Sequence, residues 1–215
     1  MKQINRITCI VLVLIVFGSA RLVRAQNLKD FFNSTDTKTT WLGLDFSELR
    51  ILGDAGADAW EIKDRYFGSI NDLIINESEK YNVAKAFRRS DFAFDLDAVR
   101  KVNAKVDVDK LKTFSSEDLQ RVTPEMVQKM VKEYALTGKT GYGIVFIVDG
   151  FNKMEQSAGM FVTILDMATQ KVLLTKKITG KAMGFGFRNY WARSVYEVLK
   201  TIEKSAYSSW KNEAN

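Results

Sequence analysis

Apolar and polar residues alternate in three kinds of pattern along this chain, and each predicts a different element. In "TTWLGLDFSELRIL", residues 39–52, Leu42, Leu44 and Phe46 alternate with Trp41, Gly43 and Asp45. That period of two is the mark of a strand with one buried face. A loop at residues 53–56 ends it, and from Asp58 the residues Trp60, Lys63, Phe67, Ile70 and Ile74 recur three to four apart. The spacing predicts a helix over about 58–80, with Asp58 at its N-cap and Trp60 on its core face. "YNVAKAFRR", residues 81–89, reads as a second strand or extended segment, and "SDFAFDLDAVRKVNAKV" fits a strand and a short helix equally well.

Thr123-Pro124 marks a helix start, with Thr at N-cap and Pro at N1; the stripe Met126, Val127, Met130, Val131 and Tyr134 follows, and Gly138 stands at the expected end. "YGIVFIVDGF", residues 142–151, is almost continuously apolar and β-branched, as in a central strand buried on both faces. Residues 158–182 read as two strands joined through Asp166–Gln170 in a hairpin. Trp191, Val195, Leu199 and Ile202 then predict an amphipathic C-terminal helix over about 188–206. Residues 26–40 are a polar lead-in. With no linker or repeat, the expectation is a single α/β (α+β) domain over 26–215, built on a mixed, mainly antiparallel sheet with helices packed on it.

The first 25 residues have a different character. Lys2 and Arg6 precede the apolar run Cys9–Phe17, and Val23 and Ala25 supply the small residues of a secretory cleavage site. We expect residues 1–25 to be a signal peptide cut after Ala25, or after Ala20 where Gly18 and Ala20 meet the same rule. Nine apolar residues fall short of the roughly 20 that span a bilayer, so no stable membrane anchor is expected after cleavage. Four cations, Lys2, Arg6, Arg21 and Arg24, belong to this segment, which has no acid. Of 32 Lys+Arg and 26 Asp+Glu, 28 and 26 remain, so the net charge falls from +6 to +2. The basic character therefore gives no reason to expect nucleic acid. The expected location is periplasmic or extracellular.

Residue usage narrows the chemistry. There is no histidine, and the one cysteine, Cys9, lies in the leader. That excludes Ser-His-Asp and Cys-His catalysis and zinc sites of ordinary composition. The stretch "ITGKAMGFGFRNYW", residues 178–191, invites a phosphate-loop reading. A Walker loop would need Gly at Thr175 and Ser or Thr at Ala182, and a dinucleotide fingerprint would need Gly at Asn189. We expect no cofactor. Met183, Phe185, Phe187 and Arg188 are instead the expected partner-binding residues of a glycine-hinged loop, although the helix start behind Gly186, with Arg188, also suits an anion.

Asp95-x-Asp97 and Asp107-x-Asp109 resemble metal-binding pairs but fit a solvated face as well, and no metal site is expected. Asp45 and Asp149, near strand ends, are the candidate carboxylates of a His-independent hydrolase. The alternative to a binding or assembly role is therefore such a hydrolase or a carbohydrate-binding protein.

The hairpin "FVTILDMATQKVLLTKKITGKA" resembles one found in the curli-secretion-channel and penicillin-binding-protein-activator group of exported envelope proteins. The strand "WLGLDFS", with Asp45-Phe46, is similar to that group's first strand. The resemblance implies an α/β domain like the N-terminal domain of TolB and like anticodon-binding domains. It also implies a non-enzymatic role through protein partners in the cell envelope. Gln170 stands where the group usually has Gly in the hairpin turn, and the group's lipid-bearing cysteine is absent.

Overall fold

The computed structural model describes residues 26–215. The expected signal segment lies outside them. Seven strands form one sheet: β1 (Thr39–Asp45), β2 (Arg50–Leu52), β3 (Phe92–Phe94), β4 (Lys112–Thr113), β5 (Tyr142–Asn152), β6 (Ser157–Asp166) and β7 (Lys171–Lys181). β5 pairs with β6 along its whole length, from Tyr142↔Asp166 to Asn152↔Ser157. Its other edge is shared: β1 lies along Tyr142–Ile147 and β2 along Gly150–Asn152, both parallel to it. β1 and β2 are thus two halves of one broken strand. β3 and β4 flank those halves, again in parallel.

The expectation of a mainly antiparallel sheet is overturned. Every pairing on the path β3-β1-β5-β2-β4 is parallel, and antiparallel pairing is confined to the β5-β6-β7 meander. The cause is the helical material between residues 53 and 141. A chain that leaves a strand through a helix and returns to the same sheet comes back parallel. The apolar β5 run, buried at all eleven positions, is what a parallel interior strand requires. Both faces are covered: Phe151 stacks on Trp191 at 4.1 Å, while a side chain at its neighbour Gly150 would strike Leu119.

Beyond β3 the outer edge of β1 has no strand partner among the described residues, and two buried asparagines replace one. Asn71 accepts from Leu44 N and donates to Leu44 O at 2.7 and 3.0 Å. Asn103 accepts from Phe46 N at 2.7 Å and donates to Leu44 O at 3.0 Å. The backbone is thereby satisfied where the strand breaks. Gly43 permits this approach, since a Cβ there would lie 2.7 Å from Asn71 Oδ1.

The helix after β2 runs over residues 59–76, capped by Asp58 Oδ1, which accepts from Trp60 N at 2.8 Å. The C-terminal helix spans residues 187–214, eight residues beyond its predicted end. Both contain one π-type turn, Ile62–Tyr66 and Ile202–Ala206. Two segments depart from expectation, and a third resolves an open reading. Residues 81–89 hold a short helix, Val83–Ala86, because Asn82 accepts from Lys85 N and initiates a turn. The lead-in contains the helix Leu28–Asn33, whose Phe31 and Phe32 are buried. It is tied down by the buried Arg89, which donates to the carbonyls of Phe31, Ser34 and Thr37. The ambiguous stretch is both things at once, β3 and then the helix Asp97–Asn103.

The predicted hairpin forms with its turn at residues 167–170. Gln170 adopts φ +54°, the region glycine favours. Its amide donates to the carbonyls of Val131, Lys132 and Tyr134. It thereby ends the helix Pro124–Lys132, a role the sequence analysis gave to Gly138. These hydrogen bonds, shared between two amide hydrogens, offset the strain that a glycine would have avoided.

Candidate functional site

The register of the strands brings one set of chain ends together. Thr113 pairs with Leu52, Leu52 with Asn152, Asn152 with Ser157, and Ser157 with Lys181. Segments 53–61, 114–115, 153–156 and 182–186 therefore all emerge from the same end of the sheet. The opposite end holds Tyr142, Asp166 and the start of the described chain, where Gln26 N donates to Asp166 Oδ2 at 3.2 Å. The eleven residues of β5 separate the two ends by about 33 Å.

Among the described residues, six large hydrophobic side chains are exposed, and five belong to the first end: Trp60 (62%), Phe114 (95%), Met154 (76%), Met183 (60%) and Phe185 (95%). The sixth, Phe94, is on β3, level with the start of β1. Of the four expected partner-binding residues, Met183, Phe185 and Arg188 are exposed. Phe187 turns inward instead, 4.7 Å from the Tyr66 ring and 6.2 Å from those of Phe151 and Trp191.

Trp60, expected in the core, is at the surface, and Ile62 is buried in its place. The sequence analysis also missed Phe114 and Met154. A lone aromatic in the polar run "KTFSSED" was the available signal for Phe114.

The loop at 183–186 is shaped by its glycines, with φ +121° at Gly184 and +73° at Gly186. Gly180 has another purpose. A Cβ there would come within 2.1 Å of Ser194 O, so its absence lets β7 lie directly against the C-terminal helix. Under the loop is an open cleft of about 430 Å³. It is lined by Tyr66, Phe187, Tyr190 and Trp191 together with Asp54, Glu61 and Lys153.

Asp45 and Asp149 do not converge. Asp45 borders a separate cavity of about 450 Å³, and Asp149 one of about 200 Å³. The Asp45 carboxylate accepts from Tyr134 Oη at 2.5 Å and Ser47 N at 2.7 Å. Burial pushes its pKa up, against the pull of those hydrogen bonds, and burial together with the Asp45 charge pushes that of Tyr134 well up. Asp149 Oδ2 pairs with Lys177 Nζ at 2.5 Å, and burial raises its pKa against the pull of that ammonium. Each carboxylate is held by an internal partner.

The Asp-x-Asp pairs are local structure. Asp95 pairs with Lys139 and caps Asp97 N; Asp107 pairs with Lys110 and caps Asp109 N. Among the described residues no group of three or more acidic side chains is placed to hold a metal ion. No known protein-family profile matches the chain, and no curated protein matches it.

Proposed function

We propose that this chain is a non-catalytic binding or assembly module of the cell envelope, exported through residues 1–25, which docks a protein partner on the end of its sheet. The carrying observation is that, among the described residues, five of the six exposed large hydrophobics lie on segments leaving that one end. Their composition, aromatic and methionine side chains beside Arg188, is that of an interface centre. Exposed apolar surface gathered in one region marks interaction sites more often than surface scattered singly. The hairpin's resemblance to exported envelope proteins that act through partners supports the same role. The separation of Asp45 from Asp149 favours binding over hydrolysis, because a glycosidase pair must flank one bond.

Photo-cross-linking in the envelope fraction tests the docking role. A photoreactive phenylalanine analogue at position 114 and, separately, at 185 should give adducts of one common mass, and the same analogue at 94 should not. Equal labelling at all three positions, or none at 114 and 185, would refute it.

A further inference from the structure

The cleft under the glycine loop has a chemistry distinct from that of the exposed hydrophobics. Its charges are mostly spoken for. Asp58 is engaged at the start of the helix over 59–76, where it accepts from Trp60 N and Glu61 N. Glu61 pairs with Arg65 at 2.7 Å. Two groups remain without a charged or capping partner among the described residues. Asp54 makes no ion pair, and Lys153 makes none either; its ammonium sits 3.7 Å from the centroid of the Tyr190 ring. The helix that begins at Phe187 has no side-chain cap, which leaves a partial positive charge at the cleft wall. Trp191 backs the same cleft but is only 1% exposed, and its indole N–H is buried.

The cleft thus offers carboxylate acceptors, an ammonium donor and aromatic rings, with more acidic than basic groups in its lining. We propose that it binds a neutral polyhydroxylated ring, a hexose unit of a glycan. Hydroxyl groups both donate and accept, so one such ring satisfies Asp54 together with Lys153. Its C–H face would meet the rings of Tyr66 and Phe187, which also line the cleft. A simple anion would meet Asp54, Asp58 and Glu61, and an organic cation would meet Lys153 already on the Tyr190 face. The cleft volume of about 430 Å³ is in the range of small-molecule sites. This inference is independent of the docking role, since Phe114 and Phe185 do not line the cleft.

Calorimetric titration of the protein with glucose, galactose and N-acetylglucosamine tests it, with choline and inorganic phosphate as competing probes. At least one hexose should saturate with a dissociation constant of about 1 mM. Asp54→Ala and Lys153→Ala should each weaken it about tenfold or more, with the unfolding temperature unchanged. The proposal fails if no hexose saturates, if choline or phosphate binds more tightly than every hexose, or if affinity survives in both the Asp54 and Lys153 variants.

Discussion

Asp45 has no exposed surface, yet it carries a carboxyl group at the break between β1 and β2. Burial raises its pKa above the ordinary 3.8. Between that value and the raised one, the native state binds more protons than the unfolded chain, so stability falls as pH rises through the window. Asp45→Asn removes this dependence. In denaturant titrations from about pH 4 to about pH 7, the variant should gain stability relative to the parent as pH rises. A constant difference across that range would mean that Asp45 does not titrate there. Asp149, also raised by burial, contributes a slope of the same sign, so the test is the difference between variant and parent. The sequence placed Asp45 at a strand end but gave no hint of Tyr134, 89 positions away.

The two long helices show how one inserted residue changes a whole face. In each, the buried residues bracketing the π-type turn are five apart, Ile62 and Phe67 in one, Ile202 and Tyr207 in the other. A strict three-to-four count therefore loses phase at these points. It put Trp60 in the core instead of Ile62, and it ended the C-terminal helix near residue 206, before the buried Tyr207 and Trp210. Deleting the exposed Ser205 should restore ordinary helical pitch and keep Tyr207 and Trp210, then four and seven residues beyond Ile202, on the buried face. The cost should be no more than about 1 kcal/mol in urea denaturation. A loss of about 3 kcal/mol or more, comparable to emptying a large aromatic site, would show that the rings depend on the turn itself.

Across the whole molecule, the folding core and the exposed hydrophobics occupy different places. Phe114 and Phe185 are almost fully exposed, so the paired change Phe114→Ser and Phe185→Ser should alter stability by no more than about 0.5 kcal/mol. A loss above about 1 kcal/mol in urea denaturation would assign these rings to folding instead of docking.

What the sequence determined by itself is what neighbours along the chain decide. It includes the apolar β5 strand, the β6–β7 hairpin with its turn, the caps Asp58 and Thr123, and the start of the C-terminal helix. These depend on periodicity and on side chains bonding backbone two or three residues away. Only the tertiary structure decided that β1 and β2 share one edge of β5, that Asn71 and Asn103 close the open edge beside them, and that the sheet is parallel through its centre. It also decided the cleft, whose Asp54, Lys153 and Tyr190 come from three distant segments. Edge pairing and convergence are contacts between residues far apart in the chain, and local periodicity carries no record of them.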